Sequence, residues 1–384
     1  MPSFHFETTP RIVCERGAAL GLARILQAGG HRRAFLVTDP GLVAAGLIDA
    51  PAAALRAAGV HVTVYDRVQA DPPEHVVLEA AQAARDDRAD CVIGLGGGSS
   101  LDTAKLVALL AANPQPLADI YGPQRARGPR LPLIQVPTTA GTGSEVTPTS
   151  VVSTPDHQKR GVISSLLFPD VAVLDAALTA ALPPGPTAMT GIDAMVHAIE
   201  AYTTRHKKNP MSDMLAVRAL QLLHGHLGGA VRQGGDLDSR EAMLLGSLLA
   251  GMAFANAPVA AIHALAHPLG SHFHVPHGLA NSLVMVPILR FNLPVAEGAY
   301  AELARALDPG LRDAADAEAA LAFIAAMQAH VAASPIPQRL RDVGVGESDL
   351  PALAEAAMTV DRLLMNNPRD LTRDDALAIY TQAF

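Results

Sequence analysis

Short apolar runs and longer helical patterns alternate along the first half of the chain. The apolar runs are rich in Val and Ile and are bounded by Gly, Pro or Asp, as buried strands usually are. They are "RAFLVTD" (33–39), "GVHVTVYD" (59–66), "DCVIGLGG" (90–97), "PLIQVPTT" (132–139), "TSVVST" (149–154) and "VAVLD" (171–175). Ala- and Leu-rich helical patterns lie between them at 42–58, 74–88 and 101–112. This alternation predicts an α/β domain with a parallel sheet covered on both faces.

The pattern changes at "LTAALPPGPTAMTG" (178–191), where prolines and glycines interrupt the chain. Beyond it we find no convincing strand pattern, and the Ala/Leu-rich segments are long enough for helices. They are 189–204, 211–228, 239–267, 279–291, 296–307, 316–333 and 348–363. We therefore predict an α/β domain at 1–182 and an all-helical domain at 183–384, with a cleft between them.

Composition and charge narrow the class of protein. The 384 residues suffice for two hydrophobic cores, and 49% hydrophobic with 17% charged residues suits a compact fold. The net charge of -8, without a Lys/Arg cluster, disfavours nucleic acid and anionic membranes as partners. The two cysteines are too few for a disulfide framework or a cysteine zinc site. No signal pattern is visible, and no apolar run approaches the ~20 residues of a membrane helix, so we expect a cytoplasmic protein.

A glycine-rich turn follows the strand pattern in "DCVIGLGGGSSLDTAKLVALL" (90–110). Gly97 and Gly98 let a phosphate approach main-chain N–H groups, and the helix N-terminus adds partial positive charge. We place Ser99 and Ser100 at the N-cap and Asp102 in the first helical turn. The functional interpretation of this turn is a pyrophosphate site, and the alternative is a tight turn without a ligand. The turn is not a standard G-x-G-x-x-G motif.

A second polar loop, "PTTAGTGSEVT" (137–147), also follows a strand pattern. The hydroxyls of Thr138, Thr139 and Thr142 suit a phosphate or ribose, although a Thr/Gly surface loop has the same composition. Asp39 ends another strand pattern, where a carboxylate accepts hydrogen bonds from a ribose and repels a 2′-phosphate. It therefore favours NAD over NADP, unless it only forms an Asp-Pro turn.

Candidate metal ligands occur in two separate segments. Asp193 and His197 are spaced i, i+4 in "TGIDAMVHAIEAYTT" (190–204), which puts them on one helix face. "HALAHPLGSHFHVPHG" (263–278) holds His263 on a helix that we expect Pro268 to end, and His277 beyond it. One carboxylate and three imidazoles suit Fe(II), Zn(II), Mn(II) or Co(II). The alternatives are an internal Asp–His hydrogen bond and a metal-free histidine-rich loop.

Six stretches together give the chain a family resemblance. They are "GLGGGSSLDTAK", "PTTAGTGSEVT", "GIDAMVHAIEAY", "HALAHPLG", "VPHGLANS" and "LLMNNPRDLT" (363–372). With these six stretches in this order, the chain resembles a group III, iron-containing alcohol dehydrogenase from end to end. The resemblance implies a dehydroquinate synthase-like fold, with an α/β nucleotide domain, a helical domain and an active site in the cleft. It also implies a homo-oligomer that uses NAD to interconvert a small primary alcohol or diol and its aldehyde or ketone.

The resemblance also assigns roles to individual residues. The metal ligands correspond to Asp193, His197, His263 and His277. His267 matches a family position near the metal and the nicotinamide, for which a proton-relay role is suggested. The nucleotide contacts correspond to Asp39, Gly97, Gly98, Ser99, Asp102, Thr138, Thr139 and Thr142, and more loosely to Lys159. His272 and His274 are not part of the motif.

Other readings stay open at this point. Glycerol dehydrogenases, maleylacetate reductases and a hydroxyacid–oxoacid transhydrogenase share the scaffold. A lyase of the dehydroquinate synthase type would need basic residues for a phosphorylated acid, whereas "GMAFANAPVAAIHALAHPLG" (251–270) is apolar. A non-catalytic nucleotide-binding or metal-storage protein belongs to a third class. Within this stretch Met252, Phe254, Val259 and Ala261 suggest an apolar lining for a small alcohol.

Overall fold

The computed structural model describes residues 3–155 and 158–384 in two compact units. One unit is Thr8–Ala180, and the other is Ala181–Phe384 together with the N-terminal segment that ends at Glu7. The sequence-based boundary at 182/183 lies close to this division, but it put the N-terminal segment in the α/β domain. That segment joins the helical unit because Asn256 bonds both backbone groups of Glu7, at 2.8 Å to its N–H and 2.9 Å to its carbonyl oxygen.

The α/β unit contains all the strands of the described residues. The strands are β1 (Arg11–Cys14), β2 (Arg33–Val37), β3 (His61–Tyr65), β4 (Cys91–Gly96), β5 (Gly122–Pro123), β6 (Leu133–Pro137), β7 (Thr149–Ser153), β8 (Lys159–Ile163) and β9 (Val171–Leu174). The α-helices are α1 (Leu22–Ala28), α2 (Pro40–Ala44), α3 (Asp49–Ala57), α4 (Glu74–Asp86), α5 (Gly98–Ala112) and α6 (Leu117–Ile120). Short 3-10 helices lie at Ala18–Gly21, Ser144–Val146, Ser165–Leu167 and Ala176–Thr179.

The main sheet is parallel, with the strand order β1-β9-β6-β4-β2-β3. Its register pairs Val37 with Gly94 and Gly96 with Pro137, so the carboxyl ends of β2, β4 and β6 share one edge. From β2 the chain continues outward to β3, whereas from β4 it continues in the opposite direction to β6. Open α/β sheets bind ligands at such a switch point.

Both faces of this sheet are buried, as the apolar strand patterns predict. Leu36, Ile93 and Val136 belong to one hydrophobic cluster, whereas Val37 and Val92 belong to another. Successive residues of a strand point to opposite faces, so the same strands supply both clusters. This double burial holds the strand ends, and the loops after them, in fixed positions.

Several details of this unit differ from the sequence-based expectations. The strand predicted at 149–154 lies outside the main sheet: β7 pairs antiparallel with β8 in a second sheet of order β5-β8-β7. Strand β1 was missed because it is a short edge strand and most of it is exposed. The helix predicted at 42–58 is two helices, because Gly46 takes a left-handed conformation with φ 69° between α2 and α3.

The second unit is helical as predicted, and none of its described residues lies in a strand. Its α-helices are α7 (Pro184–Thr203), α8 (Pro210–Arg232), α9 (Leu237–Asn256), α10 (Ala261–Phe273), α11 (His277–Leu307), α12 (Asp316–Ala332), α13 (Leu350–Ala357), α14 (Asp361–Leu364) and α15 (Arg373–Ala383). Short 3-10 helices lie at Pro309–Leu311, Leu340–Val343 and Glu347–Asp349.

Proline was a poor guide to the helix ends here. Pro268 does not end its helix, because α10 continues to Phe273 with this proline inside it. The patterns at 279–291 and 296–307 form the single helix α11, which contains Pro287 and Pro294. Conversely, the pattern at 239–267 is two helices, α9 and α10, bent by 104° at a break. The pattern at 348–363 likewise divides into α13 and α14, and α15 was not predicted.

By length and composition alone, helix α11 could span a membrane, contrary to the expectation that no segment could. Its most apolar stretch is 72% buried inside the protein. Core helices of proteins outside membranes can be equally long and apolar. Its apolar surface therefore has protein partners in the helical unit.

The late motif "LLMNNPRDLT" ties several helical elements together. Asn367 and Asn292 exchange two amide hydrogen bonds of 3.0 and 2.8 Å, which join the motif to α11. The Asn366 side chain donates to the Val259 carbonyl oxygen at 3.0 Å, within the α9–α10 connection. The motif therefore has a structural role in fixing the approach to α10.

Candidate metal centre and nucleotide loops

The four predicted metal ligands come together in the helical unit. Asp193 and His197 stand one turn apart on α7, His263 lies in the first turn of α10, and His277 is the first residue of α11. One donor atom from each residue can be chosen so that all four lie within 4.8 Å of one another. Segments some seventy residues apart in sequence thus converge on one point.

Three of the four residues are buried, and the fourth is exposed. The Asp193 carboxylate is 3% exposed, and its Oδ1 lies 3.6 Å from His277 Nε2 and 3.9 Å from His263 Nε2. The His197 ring stacks on His263, at a centroid distance of 4.7 Å, and on Phe254, at 4.3 Å. The exposed residue is His277, whose side chain is 40% exposed.

The charges of the cluster stabilise one another. Burial alone would raise the pKa of Asp193, but the three nearby imidazoles and a hydrogen bond from Asn281 outweigh it, so the pKa is lowered. Burial alone would lower the pKa of His263, but the Glu200 carboxylate and the Asp193 charge outweigh it, so the pKa is raised. A proton and a cation would therefore compete for this imidazole.

Two further residues touch the cluster, and the sequence reasoning missed both. Glu200 Oε2 lies 2.6 Å from His263 Nδ1, so a second carboxylate besides Asp193 lies at the cluster. Asn281 Nδ2 donates to Asp193 Oδ1 at 2.6 Å and lies 3.3 Å from both His263 Nε2 and His277 Nε2. Spacing could have found them: Glu200 is seven residues after Asp193, and Asn281 is four after His277.

The residues present fit a divalent cation. Three imidazole nitrogens and one carboxylate oxygen, without thiolate, are donors that Fe(II), Zn(II), Mn(II) and Co(II) accept. Buried charge and lone pairs of this kind normally require a partner. The buried Asn281 Oδ1 has no hydrogen-bond partner, so the polar groups here are not all satisfied by the protein itself.

A close backbone contact places His277. The following residue, Gly278, packs on α7 so tightly that a Cβ there would lie 2.4 Å from the Met189 carbonyl oxygen. The same Cβ would be 3.4 Å from the Asp193 Cβ. Only glycine fits, and the start of α11 can therefore reach the Asp193 side of α7.

The other histidines of the rich segment lie outside the four-residue cluster. His267 is one turn after His263 on α10 and is half-buried. His272 and His274 are exposed, and His274 takes a left-handed conformation with φ 54° at the end of α10. Of the five histidines in this segment, His263 and His277 therefore lie in the four-residue cluster.

The glycine-rich turn differs in detail from its predicted form. Helix α5 starts at Gly98 with Gly97 as N-cap, and no side chain caps it, so Ser99 and Ser100 are not N-cap residues. The serine preference for N-caps fails here because the helix begins earlier, at a residue with no side chain. The first-turn N–H groups of α5 are left for another acceptor, which suits a phosphate.

The threonine loop lies directly on this turn. A Cβ on Gly98 would be 2.8 Å from Thr142 Cγ2, and one on Gly97 would be 3.6 Å from Thr139 Cγ2. The Thr138 N–H donates to the Gly96 carbonyl oxygen at 3.0 Å. The predicted nucleotide residues after β4 and β6 are therefore neighbours.

Asp39 stands after β2, on the other side of the switch point. Its Oδ1 caps α2 by accepting from the N–H groups of Gly41 at 2.9 Å and Leu42 at 3.1 Å. Its Oδ2 accepts from Ser100 Oγ at 3.4 Å. The carboxylate is thus held beside the glycine-rich turn.

Two other predicted nucleotide residues are engaged within the protein. Asp102 accepts from Ser144 Oγ at 2.6 Å and from the Val151 N–H at 2.8 Å, and both bonds brace the loops around α5. Lys159 donates to Asp71 Oδ1 at 2.7 Å. These contacts give both residues a structural role, whatever else they bind.

A buried lysine that the sequence reasoning missed fixes the threonine loop. Lys105 Nζ donates to Ser144 Oγ at 2.8 Å, Thr147 Oγ1 at 3.1 Å and the Thr149 carbonyl oxygen at 2.7 Å. Burial lowers the pKa of Lys105 to about 8, against the opposing charge of Asp102. Its place one turn after Asp102 was the available signal.

Comparison with known proteins identifies the family. The sequence model of the iron-containing alcohol dehydrogenase family matches residues 9–176. The sequence model of the C-terminal part of that family matches residues 187–384. The chain is 40% identical over 358 residues to the long-chain-alcohol dehydrogenase 1 of Geobacillus thermodenitrificans, covering 92% of this chain and 90% of that protein.

Solved structures agree with this match. A 1,3-propanediol oxidoreductase is 34% identical with a TM-score of 0.96, and the match covers 100% of both chains. The sulfoacetaldehyde reductase of Bifidobacterium kashiwanohense, solved in complex with NAD+, is 29% identical with a TM-score of 0.89, covering 100% of this chain and 99% of that one. The chain therefore belongs to the iron-containing alcohol dehydrogenase family and is an oxidoreductase.

Proposed function

We propose that this oxidoreductase is an NAD-dependent, divalent-metal-dependent alcohol dehydrogenase that acts on a small primary alcohol or diol and its aldehyde or ketone. The observation that carries the proposal is the convergence of Asp193, His197, His263 and His277 within 4.8 Å. When bound, a divalent cation supplies Lewis-acid chemistry toward a hydroxyl or carbonyl oxygen, and NAD supplies the redox chemistry.

The chain's own residues then have separable tasks at the metal centre. The four ligands bind the cation, and Asn281 orients the Asp193 carboxylate by donating to its Oδ1 at 2.6 Å. Phe254 covers the His197 ring and excludes water from that side. His267, one turn from His263, is our candidate for moving the hydroxyl proton, because Asp193 is occupied as a ligand.

The nucleotide assignment rests on the parallel sheet. The uncapped start of α5 offers N–H groups for the pyrophosphate, and Thr138, Thr139 and Thr142 offer hydroxyls beside it. Asp39 accepts from the ribose hydroxyls and repels a 2′-phosphate, so NAD is preferred to NADP. Iron is the metal that the family name indicates, and zinc fits the same donors.

The substrate class follows from the surroundings of the cluster. Phe254 lies against His197, and the α9–α10 connection beside it is apolar in sequence. An apolar lining suits a short aliphatic alcohol or diol better than a phosphorylated acid, which needs several cationic groups. This difference separates the proposal from a lyase of the dehydroquinate synthase type.

The test uses the full chain after removal of metal with a chelator. Fe(II) under anaerobic conditions, or Zn(II), is added back, and NADH formation is followed with a panel of short alcohols and diols. We expect no turnover without metal, recovery on reconstitution, and a lower kcat/KM with NADP+ than with NAD+. Equal turnover with and without metal, or no turnover with any alcohol or aldehyde, would refute the proposal.

A further inference from the structure

We infer that Glu200 is a positioning residue of the metal centre, which fixes both the tautomer of His263 and the start of the helix that carries it. The Glu200 side chain is 4% exposed and both of its carboxylate oxygens accept hydrogen bonds. Oε2 lies 2.6 Å from His263 Nδ1 and accepts from the Ala260 N–H at 2.9 Å. Oε1 accepts from the Ile262 N–H at 2.6 Å. This inference rests on the proposed metal function.

The position of Glu200 on α7 lets one helix organise most of the site. It follows Asp193 by seven residues and His197 by three, so all three side chains lie on one face. Two of them face the metal position, and the third reaches across to α10. Glu200 thereby links the α7 ligands to the α10 ligand through a single carboxylate.

Glu200 also replaces a missing helix cap. Helix α10 begins after Ala260, whose side chain cannot cap it, and the N–H groups of Ala260 and Ile262 are orphan donors of the first turn. A carboxylate at this position satisfies them and benefits from the helix dipole. Two backbone N–H groups and the His263 ring therefore contact the buried carboxylate.

The tautomer follows from the chemistry of the acceptor. An ionised carboxylate only accepts hydrogen bonds, so the proton of neutral His263 must sit on Nδ1. The lone pair is then on Nε2, which is the nitrogen that lies 3.9 Å from Asp193 Oδ1. A carboxylate behind a histidine also increases its strength as a metal ligand. Since donors already occupy both Glu200 oxygens, we do not assign it proton transfer with the substrate.

The first test is Glu200→Gln, with metal binding as the readout. Glutamine keeps the size but turns one acceptor into a donor, so one of the three N–H groups must face an NH2. We expect the affinity for Zn(II), measured by competition with a chelator, to fall about 10- to 100-fold. The absorption spectrum of the Co(II)-loaded protein should change as well. Unchanged affinity and spectrum in a folded E200Q protein would reduce Glu200 to a helix cap and overturn the inference.

The matched control is Glu302→Gln. Glu302 also links a helix to α7, but its hydrogen-bond partner is the Tyr202 hydroxyl and not one of the four ligands. We expect its Zn(II) affinity and Co(II) spectrum to match the wild type. If E200Q does not fold, Glu200→Asp keeps the charge on a shorter side chain and should give an intermediate loss of affinity. A wild-type affinity in E200D would count against the inference.

A third measurement needs neither metal nor a variant at Glu200. Nitrogen-15 NMR of labelled histidine in the metal-free wild type, at mildly alkaline pH, reports which ring nitrogen of His263 carries the proton. We expect Nδ1–H, assigned by its loss in His263→Ala, and an Nε2–H tautomer would overturn the inference. Failure of the proposed function is distinct, because then neither the wild type nor E302Q would bind divalent metal.

Discussion

The metal centre and the nucleotide loops use their polar residues in different ways. At the metal centre all four predicted ligands converge, and their neighbours Glu200 and Asn281 hold them from outside. At the nucleotide loops, Asp102 and Lys159 already have partners within the protein. The first region is a set of metal-ligand donors, whereas the second is a backbone surface held by side-chain hydrogen bonds, with N–H groups at the uncapped start of α5.

This difference predicts which substitutions should abolish activity and which should only change it to a smaller extent. Removing a donor from the metal centre leaves buried polar groups that no other residue replaces. Changing one nucleotide contact leaves the other loops and the uncapped helix start in place. The predictions below test this contrast, beginning with the largest expected effect.

Asp193→Asn should remove most bound metal and lower kcat at least ~1000-fold, since it neutralises the only carboxylate among the four ligands. Metal analysis after gel filtration and NADH formation measure the effect. Asp213→Asn, on the exposed Lys208 ion pair of α8, is the control and should retain both. Full activity of D193N would remove the distinction between the two regions.

His267→Ala should retain the metal but lower kcat roughly 100-fold, the usual contribution of a general acid–base group. The measurement is kcat with metal content determined in parallel, together with the pH profile of kcat. His272→Ala, exposed on the same helix, should leave both unchanged. Loss of metal in H267A would instead make His267 part of the metal-binding set.

Metal affinity should fall as the pH is lowered. The Glu200 carboxylate and the Asp193 charge raise the pKa of His263, so its proton competes with the cation at higher pH than for an ordinary histidine. Below that pKa we expect about a tenfold loss of affinity per pH unit for each proton displaced. Zn(II) competition across a pH series measures it, and a flat profile would contradict the direct coordination of His263.

Asp39→Asn should shift the cofactor preference by the smallest amount, roughly five- to tenfold in favour of NADP, as removal of one repulsive charge near 4 Å implies. Asparagine preserves the α2 N-cap, so the loop should keep its shape. The ratio of kcat/KM for the two cofactors measures the shift. Asp49→Asn, elsewhere in the unit, serves as control, and an unchanged ratio in D39N would exclude Asp39 from cofactor selection.

Local spacing predicted the parts of the site that lie within one element. Asp193 and His197 share a helix face, and the Gly97–Gly98 turn follows a recognisable strand. The spacing of Glu200 and Asn281 puts them on the same helix faces as the ligands, but it does not show which residues of another helix they contact. The fold class followed from hydrophobic periodicity for the same reason, since it is a property of each element.

Element ends were predicted less well because they depend on tertiary contacts. Pro268 lacks an N–H and would normally end a helix, yet α10 is held from its start by Glu200 and continues through it. Pro287 and Pro294 likewise lie inside α11, whose apolar face is buried. Strand β1 pairs with β9, far along the chain, and no local pattern reveals such a partner.

Gly278 limits which related sequences can form this metal centre. A related chain with all four donors but alanine after the last histidine would have to move α11 away from the Met189 carbonyl oxygen, which a Cβ would approach to 2.4 Å. Its donors would all be present, yet His277 would be displaced from Asp193. Substitution of this glycine can therefore abolish metal binding although all four ligand residues are kept. The presence of the four ligands in a related sequence does not by itself indicate a metal centre.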